Sequence, residues 1–334
     1  MKAAVLHGVG DVRVEDRPIP EPGEGEVLVK VTAVGLCGSD LHWFSDGGIG
    51  DAVLTRPIVP GHEFGGVIAS GPRAGERVAI DPAVPCGQCA MCEEGNPNLC
   101  PTVGFAGHGV TDGAMREHMT WPVSRMHSVP DSLSDADVAM LEPLGVAIHA
   151  VDLSHATVGH TAVVVGCGPI GLCAIQVARA AGATRIVAVE PLAHRRQAAA
   201  KFADVVLDNT ADGFAVALRD AVGKYGAHTV IECAGTDEAV AISVDAARPG
   251  ATVVLGGIPD HDSTTFPAGH ARRKGLTFRM VRRMKEVYPR AIALVVSGRV
   301  DVSSIVSGVH PLDEAAEAFR SANAREGLKV VVTP

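Results

Sequence analysis

A glycine-rich turn between an apolar run and a helical stretch is the feature that most constrains how this 334-residue chain folds. Gly166, Gly168 and Gly171 follow the apolar run 161–165 with the spacing G-x-G-x-x-G, and a helical pattern covers 170–181. Strands that alternate with helices predict βαβ units and a parallel sheet. Five more apolar runs, with Ala-rich helical stretches between several of them, lie at 185–189, 204–207, 228–231, 251–255 and 276–278.

The three glycines fit the requirements of a dinucleotide-binding turn. Gly166 permits a tight turn, and Gly168 lets a pyrophosphate approach the backbone where a helix supplies N–H groups and a positive dipole. Gly171 lets the helix pack closely on the strand. We assign to cofactor binding the residues of this turn together with three at later strand ends: Gly166, Gly168, Pro169, Ile170, Gly171, Cys233, Ala234 and Gly256.

Glu190 bears on which nicotinamide cofactor is bound. It follows the second apolar run, about 20 residues beyond the turn, where an acid accepts hydrogen bonds from ribose hydroxyls. Because an acid repels a 2′-phosphate, the sequence favours NAD over NADP. Arg195, which we also assign to the cofactor, and Arg196 lie close behind it and weaken that preference. The alternative is a packing turn of an α/β protein with a solvated glutamate.

A dense group of cysteines predicts a metal-bearing lobe at 86–100. Cys86, Cys89, Cys92 and Cys100 are four of the eight cysteines, and no secretory signal is apparent, so disulfides are not expected. Four thiolates close a tetrahedral zinc site, and a site with no open position is structural. An iron–sulfur cluster or a lobe of free thiols is the alternative. The cysteines beside the glycine turn, at 167 and 173, fit small buried apolar residues.

Composition excludes several classes of protein. Hydrophobic residues make up 47% of the chain and charged residues 20%, as in folded globular proteins of two domains. The 29 Lys and Arg against 38 Asp and Glu give a net charge of −9, so nucleic acid is not an expected partner. The uncharged stretch 161–178 has glycines and a proline at its centre, which favours a strand, turn and buried helix over a membrane span. The N-terminus lacks a signal peptide pattern, and we expect a cytoplasmic protein.

Three further segments carry residues that suit an open zinc site. One thiolate, one imidazole and one or two carboxylates are typical ligands of a zinc ion that keeps a free position. Each residue also has a simple structural explanation, and spacing alone does not bring the segments together. The segments are Cys37-Gly-Ser-Asp-Leu-His, which follows a predicted strand at 27–34, Gly61-His-Glu and Glu142-Pro-Leu.

In this order, and with the cysteine lobe and the glycine turn, these motifs resemble zinc-dependent medium-chain alcohol dehydrogenases of the sorbitol or polyol dehydrogenase group. The resemblance extends essentially from end to end. It implies an α/β protein in which a doubly wound Rossmann domain accompanies a β-rich GroES-like catalytic domain. The implied domains are catalytic at 1–148, with the zinc lobe at 86–100, dinucleotide-binding at 149–285, and a C-terminal return to the catalytic domain at 286–334.

The resemblance also implies roles for the residues of these segments. Cys37 and His62 ligate a catalytic zinc, and Glu63 or Glu142 completes the sphere, directly or through water. Asp40 orients His62. Ser39 and His42 resemble the residues of the family's proton relay. Each chain then binds two Zn²⁺ ions, of which the second lies in the cysteine lobe.

The implied reaction transfers a hydride from a secondary alcohol, such as a polyol, to NAD. A sugar acid, threonine or a vicinal diol is an alternative substrate, and a non-catalytic relict that binds zinc or nucleotide is the alternative of another class. A sugar-acid carboxylate would bind an arginine of the basic segment 270–285, such as Arg282 or Arg283, although a solvated face or subunit contact explains that segment as well. Dimers and tetramers are common in this family, and we expect the strand at 251–255 to form an exposed edge that pairs between subunits.

Overall fold

The computed structural model describes residues 1–50, 52–259 and 263–334. The strands are β1 (Lys2–Gly8), β2 (Asp11–Asp16), β3 (Glu26–Gly35), β4 (Gly48–Ile49), β5 (Ala52–Val53), β6 (Glu63–Ile68), β7 (Arg77–Ile80), β8 (Ala83–Val84), β9 (Gly104–Phe105), β10 (His118–Pro122), β11 (Met126–Ser128), β12 (Thr161–Val165), β13 (Arg185–Val189), β14 (Val205–Leu207), β15 (Ala227–Glu232), β16 (Ala247–Leu255), β17 (Thr277–Met280), β18 (Val306–Pro311) and β19 (Lys329–Thr333). The helices are α1 (Gly38–Asp46), α2 (Ala90–Glu93), α3 (Asp135–Ala139), α4 (Leu141–Ser154), α5 (Pro169–Ala180), α6 (Ala193–Ala199), α7 (Phe214–Val222), α8 (Asp237–Ala246), α9 (Ala268–Lys274), α10 (Tyr288–Val296) and α11 (Ala315–Asn323).

The chain forms two compact units. The first contains Met1–Glu142, Tyr288–Val296 and Val302–Pro334, and the second contains Pro143–Val287 and Ser297–Asp301. The sequence predicts domain boundaries after residues 148 and 285. None of the described helices is long and apolar enough to cross a membrane.

The first unit is built on a seven-stranded sheet. Its order is β11-β7-β6-β3-β19-β18, with β10 paired to β3. Burial alternates along the first half of β3, where Val27, Val29 and Val31 are buried while Lys30 is exposed, as expected for a strand with one face on the core. The central position of β3 matters because its end leads directly into α1 and its partner β6 begins beside it. These two strands therefore bring distant segments of sequence together.

The second unit is a six-stranded parallel sheet of order β14-β13-β12-β15-β16-β17. Its first strand, β12, lies inside the sheet and is buried from Ala162 to Val165, which explains the uncharged run in the sequence. From β12 the chain proceeds in one direction to β13 and β14, and then in the other to β15, β16 and β17. The doubly wound parallel sheet is confirmed, with its switch point between β12 and β15.

Two predictions made from the sequence are wrong, one in each unit. The strand at 251–255 is not an edge, because β17 pairs with β16 from Thr252↔Thr277 to Leu255↔Met280. The edge of the sheet on that side is therefore β17. After residue 285 the sequence predicts one helix, whereas the structure has two, because α11 has an amphipathic pattern that buries Ala318 and Phe319 in the core of the first unit.

Candidate metal centre and cofactor turn

The turn from β3 into α1 positions the first metal-ligand candidate. Cys37 is the residue that precedes α1, and its backbone N–H donates to Asp40 Oδ2 at 3.0 Å. The other oxygen of Asp40 accepts from the backbone N–H of Gly61 at 3.2 Å and lies 3.6 Å from His62 Nδ1. The fully buried Asp40 carboxylate thus ties the Cys37 turn to the segment that carries His62.

The electrostatics of this group fit the orienting role predicted for Asp40. Burial raises the pKa of the Asp40 carboxyl, but the adjacent His62 and the backbone N–H of Cys37 outweigh it and hold this pKa below its usual range. Burial lowers the pKa of His62, while Asp40 and Cys37 more than offset that and hold it well above its usual value. The Asp40 carboxylate therefore favours positive charge at His62, as the orienting partner of a zinc-binding imidazole does.

Glu63 is brought to the same place by the strand register. It begins β6, and its Cα pairs with Gly35 at the end of β3. A side chain on Gly35 would collide with the Glu63 carboxylate, so the glycine is required there. Glu63 is fully buried and forms an ion pair through Oε2 with Lys329, the first residue of β19.

One sulfur, one imidazole nitrogen and one carboxylate oxygen converge at this point. The ligand atoms of Cys37, His62 and Glu63 all lie within 4.8 Å of one another. Tetrahedral zinc holds its ligand atoms about 3–4 Å apart, so small side-chain movements suffice to bind it. His62 Nδ1 and Glu63 Oε1 are buried and make no hydrogen bond with the residues that the structure describes. The donor set therefore fits a zinc ion with three protein ligands and an open position.

Glu142 lies in the same unit but outside this group of three. It is the second residue of α4 and is 4% exposed. Burial raises the pKa of its carboxyl to about 8, with Glu63 acting in the same direction and His62 and Lys329 against it. The charge of Glu142 therefore interacts with the metal-ligand candidates. Of the two glutamates, it is Glu63 that belongs to the close group of ligand atoms.

The two residues predicted to form a proton relay occupy the same helix. Ser39 is buried, and its Oγ lies 3.5 Å from His62 Nε2. His42 is about one turn further along α1, where its side chain is 23% exposed and its Nδ1 lies 2.9 Å from Asp46 Oδ2. Ser39 therefore lies at the candidate metal centre, and His42 is in contact with solvent.

The cysteine lobe forms a compact cluster of four sulfur atoms. Cys86, Cys89, Cys92 and Cys100 place their Sγ atoms within 4.8 Å of one another. The backbone N–H of Cys86 lowers the pKa of the Cys100 thiol to about 6, whereas burial raises that of Cys92 to about 12. A bound dication would favour the thiolate form of all four cysteines. The cluster fits a closed structural zinc site.

The glycine turn has the geometry that the sequence predicts. Gly166 has φ +91°, and a Cβ at Gly171 would lie 1.9 Å from Gly166 O, so neither position accepts another residue without strain. A Cβ at Gly168 would meet only the end of the Arg195 side chain, at 3.6 Å. Gly168 precedes α5, which begins at Pro169 with Ile170 second. The turn therefore leaves free space at the helix N-terminus where a phosphate group binds.

Glu190 lies directly beside this turn. Its Oε2 accepts from the backbone N–H of Cys167 at 2.7 Å, and its Oε1 accepts from that of Leu192 at 3.0 Å. Each carboxylate oxygen retains a lone pair for a ribose hydroxyl. Arg196 forms an ion pair with Asp208 at 2.9 Å, so this cation has a partner within the protein.

The remaining cofactor candidates lie at the ends of neighbouring strands. Cys233 and Ala234 directly follow β15, and Gly256 directly follows β16. The Cys233 backbone N–H donates to Val165 O at 2.8 Å, which ties this loop to the end of β12. Cys233 and Ala234 therefore lie beside the glycine turn, and Gly256 lies next to their loop through its N–H bond to Glu232 O at 2.8 Å.

Sequence reasoning missed two buried charged residues. The sequence predicts an apolar strand at 329–332 that begins with Lys329, and Glu232 directly follows the apolar run 228–231. The signal for both was a charged residue next to a continuous apolar run, where burial has to be compensated by a partner.

Fold and metal centre together define a zinc-dependent dehydrogenase of the medium-chain class. Residues 23–131 match the model of the alcohol dehydrogenase GroES-like domain, and residues 169–297 match that of the zinc-binding dehydrogenases. The chain belongs to the family of zinc-dependent medium-chain alcohol dehydrogenases, whose members are oxidoreductases acting on CH–OH groups.

Curated relatives match over almost their whole length. The chain is 37% identical to a D-xylulose reductase A of Neosartorya fischeri, with 98% of this chain and 95% of the relative covered. It is 36% identical to the sorbitol dehydrogenase of Gallus gallus, with 99% and 95% covered. A zinc-binding dehydrogenase of Sinorhizobium meliloti 1021, solved with NADP bound, superimposes with a TM-score of 0.91 at 33% identity, with 100% of this chain and 99% of that one covered.

Proposed function

We propose that this protein oxidises a secondary hydroxyl of a polyol with NAD, or reduces the corresponding ketose with NADH. The observation that carries the proposal is the convergence of Cys37, His62 and Glu63 ligand atoms within 4.8 Å in a buried site. The full-length similarity to proteins named D-xylulose reductase and sorbitol dehydrogenase supports the substrate class.

Cys37, His62 and Glu63 would hold the catalytic zinc, and Glu142 would adjust the charge around it. When bound, zinc supplies a Lewis acid that favours loss of the alcohol proton, and NAD accepts the hydride from the carbinol carbon. Ser39 Oγ is the group that would take the hydroxyl proton, because it is the hydroxyl beside His62. Ser39 would release its own proton to a ribose hydroxyl of the cofactor, and His42, in contact with solvent, would pass it outward.

The remaining chain supplies orientation. Asp40 fixes the imidazole ring of His62 through the contact at Nδ1, so that the Nε2 edge faces Ser39. In the second unit, Gly168 would admit the pyrophosphate and Glu190 would accept from the ribose hydroxyls. The buried carboxylate of Glu190 supports NAD over NADP, because a 2′-phosphate would meet its charge.

The direct test is the absorbance of NADH formed by zinc-replete protein with NAD⁺ or NADP⁺ and a panel of substrates. The panel contains hexitols, pentitols, vicinal diols, threonine and aldonic acids, together with a measurement of bound zinc. We expect turnover of one polyol series with NAD⁺ and two zinc ions per chain. An inactive protein that binds only one zinc would refute the proposal and favour the non-catalytic relict.

A sugar acid is the second candidate substrate. Arg283 and Glu286 both adopt left-handed backbone conformations, at φ 57° and 45°, and such strain at residues other than glycine marks functional turns. Arg282 is an exposed cation on the same turn. If this turn binds a carboxylate, Arg282→Ala or Arg283→Ala raises the KM for an aldonate and leaves that for a neutral polyol unchanged. Equal effects on the two substrates would exclude the sugar acid.

We also propose a homodimer or homotetramer, formed in a reducing compartment such as the cytoplasm. Among the described residues β17 pairs only with β16, and Met280 on it is 70% exposed, which supports this strand as the subunit contact. None of the eight cysteines, all of which the structure describes, forms a disulfide, as zinc thiolates and buried thiols require. Light scattering of the purified protein with and without Met280→Lys tests the contact, and a wild-type monomer would refute it.

A further inference from the structure

Glu232 is a buried acid with no place in the chemistry outlined above. It is the last residue of β15 and is 1% exposed. Its Cα pairs with Val165 at the end of β12 on one side and with Leu255 at the end of β16 on the other. Glu232 therefore lies at the carboxyl ends of the strands, at the switch point where open α/β sheets bind their ligands.

The Glu232 carboxylate connects two loops. Its Oε1 accepts from the backbone N–H groups of Ala234 and Gly235, both at 2.6 Å, and its Oε2 accepts from that of Gly257 at 3.3 Å. Its backbone carbonyl accepts from Gly256 N–H at 2.8 Å. One residue thus fixes the loop that follows β15 to the loop that follows β16.

The two loops are in direct contact, which explains the glycines within them. A Cβ on Gly235 would lie 2.1 Å from Ile258 O, and one on Gly257 would lie 2.1 Å from Gly235 N. A Cβ on Gly166 would lie 2.9 Å from Ala234 N, so the glycine turn packs on the same loop. The backbones of the two loops therefore approach each other closely, and the Glu232 carboxylate between them is the acceptor for three of their N–H groups.

The position of the loops indicates which half of the cofactor they receive. Glu190, which would accept from the adenosine ribose, lies at the end of β13, on one side of the switch point. A dinucleotide that crosses the sheet places its other half over the ends of β15 and β16. Cys233, Ala234 and Gly256, assigned to the cofactor from the sequence, belong to these two loops.

We propose that Glu232 is a positioning residue for the nicotinamide ring of the cofactor. Its carboxylate holds the loops 233–235 and 256–258 in the shape that receives this ring before the cofactor arrives. Because their N–H groups are already bonded and ordered, binding does not have to order them. This inference rests on the proposed use of NAD.

The test replaces Glu232 by glutamine, which keeps its shape but turns one acceptor into an N–H₂ donor. That donor faces backbone N–H groups, so at least one of the bonds is lost. NADH and ADP-ribose, which lacks the nicotinamide, are titrated by calorimetry into zinc-replete wild type and Glu232→Gln. We expect NADH binding to weaken by about 10-fold or more and ADP-ribose binding by less than about 2-fold, a split that general loss of stability would not give.

Asp204→Asn is the matched control. The Asp204 carboxylate also accepts a backbone N–H, that of Ile186 at 2.6 Å, and it pairs with Arg179 at 2.7 Å. It lies at the amino end of β14, away from the switch point. We expect this variant to lower the unfolding temperature and to leave the NADH affinity unchanged. Equal weakening of NADH and ADP-ribose in Glu232→Gln, or no weakening of either, would overturn the inference.

If Glu232→Gln does not fold, hydrogen exchange in the wild type tests whether the two loops are ordered before NADH binds. The amides of Ala234, Gly235 and Gly257 should be protected before NADH is added, as in a preformed site. Protection that appears only with NADH would overturn the inference. If wild-type protein binds neither NADH nor ADP-ribose, the proposed use of NAD fails instead, so the two failures are distinguishable.

Discussion

Lys329 Nζ forms an ion pair with Glu63 Oε2, and both side chains are almost fully excluded from solvent, at 3% and 1% exposure. Burial lowers the pKa of Lys329, but Glu63 and Cys37 outweigh it and raise this pKa above its usual value. The ammonium group therefore stays charged and compensates Glu63 when no metal is bound. Glu63 Oε1 makes no hydrogen bond with the described residues, so in the proposed site zinc and Lys329 would share this carboxylate.

Lys329→Met should destabilise the zinc-free protein by about 3–5 kcal/mol, because it leaves the Glu63 carboxylate buried and unpaired. Adding zinc should restore more stability to this variant than to wild type, since the metal replaces the lost charge. Urea unfolding with and without zinc measures both effects. The control is Glu63→Gln/Lys329→Met, in which no charge is left unpaired and less stability should be lost. A double variant as unstable as the sum of the two single variants would contradict this account.

Two glycines of the cofactor turn should respond differently to alanine. Gly171→Ala places a Cβ 1.9 Å from Gly166 O and should cost about 1–3 kcal/mol of stability or more. Gly168→Ala, at φ −68° and next to open space, should leave the unfolding free energy nearly unchanged. It should nonetheless weaken NADH binding, because the methyl group occupies the approach of the pyrophosphate. Urea unfolding and fluorescence titration separate the two, and unaltered NADH affinity in Gly168→Ala would show that the phosphates bind elsewhere.

The cysteine lobe should hold a zinc ion that supports stability and takes no part in the reaction. Cys92→Ser should reduce bound zinc from two ions to one per chain and lower the unfolding temperature, because a structural zinc site contributes directly to folding. Cys37→Ser, by contrast, should lose zinc at the other centre and abolish activity with a smaller effect on unfolding. Elemental analysis and thermal unfolding test the pair. Loss of both ions in Cys92→Ser without unfolding would show that the sites are not independent.

The contribution of four histidines to stability should fall as the pH drops below about 6.5, the ordinary pKa of histidine, whereas Glu142, whose folded-state pKa burial raises to about 8, contributes in the opposite direction. Burial lowers the folded-state pKa of four histidines: His127, His149, His160 and His228. The unfolded chain then binds more protons than the folded one, so their contribution is complete above the unfolded pKa and is lost as the pH falls. Zinc-loaded protein is used, so that His62 does not titrate.

Urea unfolding between pH 7.5 and 5.5 measures this dependence. His127→Phe keeps an aromatic ring stacked on Tyr288, now 4.7 Å away and nearly parallel, and removes one titrating group. As the pH is lowered from 7.5 to 5.5, this variant should lose less stability than the wild type, because one of the histidines that resist protonation in the folded state is gone. A dependence as steep as in wild type would show that His127 does not contribute.

The sequence predicted the second unit well because periodicity and local motifs determine it. The strands β12 and β13 have the predicted bounds, since continuous apolar runs such as Val163–Val165 are buried on both faces. The glycine turn was recognisable because each glycine answers a local steric requirement. The missed helix α11 shows the limit, since its buried stripe of Ala315, Ala318 and Phe319 is short and lies among polar residues.

The metal centre could not be assembled from sequence without a resemblance. Cys37 and His62 are 25 positions apart, and only the pairing of β3 with β6 brings the two segments together. The choice between Glu63 and Glu142 depends on strand register, and the partner Lys329 comes from a strand almost 300 positions away from Cys37. Such long-range pairings are consequences of tertiary structure, and no local pattern encodes them.

The central claim is that this protein transfers a hydride from a secondary carbinol carbon to NAD. A hexitol deuterated at carbon 2 is incubated with zinc-replete protein and NAD⁺, and the reduced cofactor is analysed by mass spectrometry. The account predicts NADH that carries one deuterium, a ketose as the second product, and loss of both in Cys37→Ser. Unlabelled NADH, or no NADH from any deuterated polyol by protein with two zinc ions bound, would contradict it.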